Sequence, residues 1–381
     1  MVRNAADVIG VNLLHHLHTG FDAIYIVDNG SQDGTDAVIE RIAGEHPVKW
    51  SRDDGPFQQD VTLTELAQQA LAGGADWIVP IDADEFWWCE SGDLRTELAR
   101  ITADALECEV VQFIQRRDVT KRHPRSLLTM TRRVERPIGD RESARFMVES
   151  GQASFVEVCF PTKWIVRASK ALSFGRGSHE VRGVARRESA TGIQCLHAPL
   201  RARGVLPSRS EHGDRLNALD IDRGVGWQAR HWSRLSREGK IDVEWAANTY
   251  VGNDTLDVYG TEHTVIVDER LARAAGPWVD HPLVMIGELD ADVVASPPTN
   301  DAKTAMLREQ LEVAWKRWER DRESIRDLTA AVDRISSSIA GRIYRASSRL
   351  PLLRRLIRKA TGLGETDWKR RATSSESSED A

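Results

Sequence analysis

Two short apolar runs, residues 23–27 and 77–81, each stop on an aspartate, Asp28 and Asp82, and this repeated construction restricts the fold more than any other feature. Asp28 leads into Asn29-Gly30-Ser31-Gln32-Asp33-Gly34-Thr35, residues that tolerate turn geometry, and then into a helical stretch over 35–43 that Asp33 or Thr35 could cap. A purely structural strand–turn–helix explains the glycines and the cap, but it needs no acid at the strand's last position. In an open α/β sheet the carboxyl ends of strands are where ligands bind, so two strands ending in Asp favour a site. Asp82 and Asp84 stand two residues apart. In extended backbone their side chains would leave one face and converge, and a divalent cation carrying a diphosphate suits such hard oxygen ligands. The plain alternative is a solvated acidic turn.

Periodicity predicts helices over 7–18, 35–43 and 62–73, and strands over 24–28, 47–51 and 77–82. That alternation is the signature of a parallel-type sheet with crossover helices. Residues 109–114, 154–160 and 163–167 read as further strands without long helices between them, which implies a mixed sheet on the acceptor side. The Arg-rich stretch 116–150, broken by Pro124 and Pro137, reads as a surface excursion, either over the site or as a simple solvated insertion.

Taken in order, Val2-Arg3-Asn4, a helix through His15-His16 to Gly20, the Asp28 turn and the run Ile81-Asp82-Ala83-Asp84-Glu85-Phe86 resemble the nucleotide-sugar-binding half of a GT-A glycosyltransferase. The likeness is to the family 2 group whose members carry a "DNGS-x-DGT" turn and a "DADEF" motif. Lys163-Trp164-Ile165-Val166-Arg167, Gly177-Ser178-His179-Glu180 and Cys195-Leu196-His197-Ala198-Pro199-Leu200-Arg201 continue it, over roughly residues 1 to 230. The sequence departs from the pattern at its start. Only Met1 and Val2 precede Arg3, and Ala5 stands where an acid is usual, so the first strand is expected to be truncated or absent: either the start site is assigned too late or the sheet edge is closed in another way.

The resemblance implies an α/β, GT-A-type (Rossmann-like) mixed sheet with flanking helices, and a role for each matched residue. Asp28 would accept a hydrogen bond from the nucleotide base, Asp82 would face the ribose or the metal, and Asp84 would ligate Mn²⁺ or Mg²⁺ beside the diphosphate. His197 would be a second protein ligand, as imidazole chemistry allows, and Arg201 would meet phosphate charge. The implied reaction is an inverting transfer from a nucleoside-diphosphate sugar, a UDP-sugar first, to a hydroxyl of a glycan or lipid-linked acceptor in cell-surface glycan assembly. A general base must reach that hydroxyl; Glu180 and His179 are the candidates, with Glu85 a third. Trp87 and Trp88 either stack on a sugar ring or belong to the core.

Length and composition agree with a soluble enzyme carrying an appendage. A chain of 381 residues with 41% hydrophobic content can bury a full core, and a net charge of −6 argues against general nucleic-acid binding. The four cysteines lack any paired zinc spacing and read as reduced core thiols. No run approaches the roughly 20 apolar residues of a membrane span and no signal-peptide core follows Met1, so a cytoplasmic protein is expected.

The expected organisation is a transferase domain over 1–240, an irregular extension over 241–302, a coiled-coil helix over 303–340, a basic amphipathic segment over 341–362 and a disordered tail over 363–381. A heptad seam from Leu307 to Ile339 implies a homo-oligomer or a helix folded back on its own domain. Arginines interleaved with leucines over 342–359 imply contact with an anionic membrane, the inner face of the plasma membrane. Two other functional readings remain at this stage. One is a nucleotidyltransferase, which would be expected to carry a Gly-rich basic loop after its first strand; the other is a non-catalytic scaffold built on a degenerate transferase domain.

Overall fold

The computed structural model describes residues 1–139, 141–219, 226–251 and 264–285. The expected heptad helix, basic segment and tail lie outside the described residues. In chain order the first third contains α1 (Ala6–His18), β1 (Ile24–Asp28), α2 (Thr35–Glu45), β2 (Val48–Arg52), α3 (Gln59–Ala72), β3 (Trp77–Ile78), β4 (Glu85–Cys89), α4 (Leu94–Leu98) and β5 (Ala105–Gln112). Then come β6 (Gln115–Arg116), a 3₁₀ turn over Pro124–Thr129, β7 (Arg132–Val134), α5 (Arg141–Glu149), β8 (Lys163–Arg167), β9 (Ser173–Phe174), β10 (Val181–Arg182) and β11 (Arg187–His197). Helices α6 (Val205–Asn217), α7 (Trp227–Arg237) and α8 (Ile241–Ala247), strands β12 (Thr249–Tyr250) and β13 (Val265–Val267), and α9 (Arg270–Ala275) complete the described chain.

The central sheet has the order β3-β8-β5-β11-β4 and is mixed: β5 and β11 run parallel, and every other pair is antiparallel. β1 and β2 form a separate parallel pair. In place of a first strand there is one parallel bridge, Val2 to Asp28, with Val2 N–H donating to Val27 O at 2.8 Å and Asn29 N–H to Val2 O at 2.8 Å. Between the two sheets lies a cavity of about 620 Å³, walled by Ile24 to Ile26 of β1 and the stretch around β3, with Ile9, Leu13 and Leu66 among its apolar lining. Among the described residues β1 pairs with β2 and Val2 only, and β3 with β8 only.

α1 is buried from Ala6 to Leu17, which explains why its sequence is apolar on more than one face. Its polar residues satisfy the edge strand β4. Asn12 Nδ2 donates to Glu85 O at 2.6 Å, His15 Nε2 meets Trp87 O at 2.8 Å, and Trp87 N–H donates to His16 Nε2 at 3.1 Å while His16 Nδ1 contacts Asn12 O at 2.8 Å. A sheet edge is thereby closed by side chains rather than by another strand. The turn before α2 needs Gly34 at φ 84°, a left-handed angle that side chains resist. The N-cap position falls on Gly34, which has no side chain to cap with, in place of the expected Asp33 or Thr35; Asp33 instead braces the turn by accepting from the Thr35 amide (3.2 Å) and hydroxyl (2.5 Å).

Three expectations change. The strand predicted over 77–82 stops at Ile78, because Glu85 N–H turns back to Asp82 O at 3.0 Å and makes the acidic motif a turn. Residues 154–160 form no strand: the Glu157 carboxylate accepts the Ser154 N–H at 2.6 Å and closes a local turn, while Phe155, Val156 and Val158 still enter a core cluster. The stretch 116–150 is no simple excursion, since Leu127 and Met130 are fully buried in the main core and Arg122 ion-pairs with Asp7 and Asp33. Beyond residue 240, Trp245, Tyr250, Leu271, Ala275 and Val284 are also buried in the same unit. No helix among the described residues is long and apolar enough to cross a membrane.

Candidate functional site

The acidic turn joins β3 to β4, and its two aspartates face different partners. Asp82 accepts from Lys163 Nζ at 2.8 Å and from Gln59 Nε2 at 3.3 Å. Lys163 opens β8 and is fully buried; its ammonium also lies 2.9 Å from Glu85 and donates to Ser178 Oγ at 3.0 Å. Burial opposes ionisation of Asp82, but Lys163 outweighs it and holds the carboxyl below the usual range. Glu85, buried and repelled by Asp82 against the pull of Lys163, is pushed up to about 8. Burial likewise works against the Lys163 ammonium, yet Asp82 and then Glu85 raise its pKa overall.

Asp84 meets a second set of groups. The register of β11 against β4 places His197 opposite Glu85, and Ala198 N–H donates to Asp84 O at 2.8 Å. His197 Nε2 therefore sits 3.8 Å from Asp84 Oδ2, and Arg209 of α6 ion-pairs with that same oxygen. Burial pushes the imidazole down to about 4, so it is neutral and able to donate a lone pair. Burial also opposes charge on Asp84, but Arg209 overcomes it and keeps the carboxyl ionised. One carboxylate oxygen, one imidazole nitrogen and one guanidinium thus meet at the sheet edge.

Other predicted residues are engaged elsewhere. Asp28 is fully buried, accepts the Ser31 amide at 3.1 Å and the Ser31 hydroxyl, and pairs with Arg52 at 3.3 Å, so it organises the turn that follows it. Arg201 is 3% exposed and bidentate to Asp7, at 2.5 and 2.8 Å. His179 Nδ1 lies 3.0 Å from Thr162 O, and Phe160 packs against both His179 (5.6 Å) and His197 (4.6 Å), which brings the two imidazoles to one aromatic side chain. Glu180 is exposed. Trp87 is core, 1% exposed, and Trp88 lies beneath Arg270 at 4.9 Å. Cys89, Cys108 and Cys195 are buried, whereas Cys159, also expected in the core, is half-buried.

Sequence reasoning assigned no role to Lys163 or Arg209. For Lys163 a signal exists: a cation at the head of the apolar strand Lys163-Trp164-Ile165-Val166 has no place to go but inward. Arg209 gives none, because α6 reads as a solvated polar helix.

A two-donor metal site is compatible with this arrangement. Asp84 and the neutral His197 converge, and phosphate oxygens could complete the shell; Asp82 is committed to Lys163. Among the described residues no group of three or more His, Cys, Asp or Glu is placed to hold an ion by itself.

No family model and no curated protein matches the chain. Solved structures of S. aureus TarS do. The 1–349 fragment is 12% identical over 65% of this chain and 69% of that one, with a TM-score of 0.29; its complex with UDP-GlcNAc gives 12%, 65%, 70% and 0.30. The complex of that fragment with UDP gives 13% identity over 63% and 72%, with a TM-score of 0.29. Scores this low do not demonstrate a shared fold, so the chemistry rests on this chain's own residues.

Proposed function

We propose that the chain is a GT-A-type, inverting glycosyltransferase that moves a sugar from a nucleoside-diphosphate sugar, a UDP-sugar first, to a hydroxyl of a glycan or lipid-linked acceptor. The observation that carries this reading is the meeting of Asp84, His197 and Arg209 where β4 begins and β11 ends. An acid, a neutral imidazole and a guanidinium at a strand-end edge suit a charged, metal-chelating leaving group.

Asp84 and His197 would hold Mn²⁺ or Mg²⁺, which would neutralise negative charge on the departing phosphates. Lys163 keeps Asp82 ionised through one carboxylate oxygen, and Gln59 Nε2 donates to the other. Of the base candidates we favour His179, because Phe160 places its ring in the same aromatic contact as His197. His179 would take the acceptor proton as the hydroxyl oxygen attacks the anomeric carbon and the bond to the diphosphate breaks.

Thermal shift and calorimetry with a panel of nucleotide sugars and Mn²⁺ test the reading. A bound donor at about 100 times its dissociation constant should add roughly 2.7 kcal/mol of stability. Asp84→Asn should abolish turnover and metal-dependent binding, and His197→Ala should weaken both. Turnover that persists unchanged in EDTA would sink the metal mechanism.

A further inference from the structure

Helix α6 carries Arg209, His212 and Arg215 at intervals of three residues, on one face. Arg209 pairs with Asp84, while Arg215 Nη2 donates to Asn29 Oδ1 at 3.1 Å, so this helix spans from the acidic turn to the turn after β1. Arg3 joins from the N-terminal segment and donates to Asn29 O at 2.5 Å. Asn29 is therefore held between two guanidiniums, and it is neutral. Among the described residues neither Arg3 nor Arg215 has an ion-pair partner, and Arg215 Nη1 is buried with no hydrogen-bond partner.

His212 reports the field at this point. It packs edge-on against Phe57 at 4.9 Å, and burial, followed by the charges of Arg209, Arg215, Arg3 and Arg230, lowers its pKa to about 4. Four cations act on one imidazole, and among the described residues the only carboxylate paired with Arg209 is Asp84. Such a surplus of forked donors matches the geometry of a phosphate group.

We propose that Arg3, Arg209 and Arg215 form a diphosphate clamp, which grips the two phosphoryl groups of a nucleoside diphosphate through guanidinium hydrogen bonds without a metal ion between them. The inference rests on the donor reading above and places the phosphates within it. Arg209 leaves Asp84 for a phosphate oxygen, which frees Asp84 for a divalent ion. Diphosphate and metal consequently bind with positive, reciprocal coupling.

The test is calorimetry of inorganic pyrophosphate binding to the full chain in EDTA. Wild-type protein should bind, more weakly as salt rises. Arg215→Gln and Arg3→Gln should each lose tenfold or more, and Asp84→Asn, which removes the carboxylate competing for Arg209, should tighten binding several-fold. If Arg215→Gln does not fold by circular dichroism, Arg3→Gln carries the test, since its one hydrogen bond is to a backbone carbonyl. No pyrophosphate binding by the wild type in EDTA, or equal affinity in the arginine variants, overturns the clamp. If pyrophosphate binds as expected but no nucleotide sugar binds with or without Mn²⁺, the clamp stands and the donor reading falls. If nucleotide sugars bind only with Mn²⁺ and equally well to Arg3→Gln and Arg215→Gln, the donor reading stands and the clamp falls.

Discussion

Lys163 shows how one side chain sets the protonation of a whole turn. A fully buried ammonium is tolerable only with compensating charge: Asp82 supplies it at 2.8 Å, while Glu85, 2.9 Å away, is a largely neutral second contact. Lys163→Met should therefore leave Asp82 without its partner and cost on the order of 3 kcal/mol in urea unfolding, the low end for a broken buried pair because the Asp82 side chain stays 35% exposed. Glu85→Gln should cost less than about 1.5 kcal/mol, because a carboxyl pushed up to about 8 is largely protonated at neutral pH and the amide mimics it. A loss as large as that of Lys163→Met would show Glu85 to be a charged partner instead. The sequence marked Asp82 and Asp84 as paired acids that would converge at the end of a strand, but that strand stops at Ile78. Their separate partners were not legible, because Lys163 lies far along the chain and the turn at Asp82 breaks the extended geometry that would have made them converge.

The elements most readable from sequence were those with strong local periodicity. α1, α2 and β1 fall within a few residues of their expected bounds, since a buried helix or strand must repeat its apolar positions. The strand expected over 154–160 failed because a single carboxylate, Glu157, outcompetes the ladder for the Ser154 amide. The bonding of α1 to β4 was also invisible, since His15 and His16 look like any pair of helix residues until their partner strand is known. His16→Ala should leave the buried Trp87 N–H without its acceptor. The expected cost is about 3 kcal/mol in urea unfolding, one unsatisfied donor plus the lost side-chain volume, with faster hydrogen exchange at the Trp87 amide. Unchanged exchange there would mean that α1 does not secure the edge.

At the scale of the whole molecule, buried neutral imidazoles govern the response to acid. Burial, above all, lowers His15 to about 4, His18 to about 3 and His212 to about 4. Their folded pKa values lie below the unfolded value of about 6.5, so between roughly pH 6.5 and 4 the unfolded chain binds more protons and stability falls as pH falls. Glu85 acts in the opposite direction, since its raised pKa favours the folded state at low pH, but it is one group against at least five, because burial lowers His16 and His197 as well. Scanning calorimetry should find a melting temperature lower by roughly 10 °C at pH 4.5 than at pH 6.5. A flat profile would mean that these imidazoles are not buried in solution.

The cavity of about 620 Å³ between β1 and β3 has a mechanical consequence. Folded proteins yield to hydrostatic pressure in proportion to the internal void that unfolding eliminates, and ordinary volume changes run from about 20 to 100 mL/mol. The cleft is open along part of its rim, where Asp22, Gly74 and Arg95 line it, so only its apolar depth around Ile9, Leu13 and Leu66 counts toward that void, and any extra compressibility is confined to this seam. Trp77 lines that seam, so its fluorescence should shift at pressures that leave the β5/β11 region intact, and the β1–β2 pair should be the first part of the sheet layer to let water in.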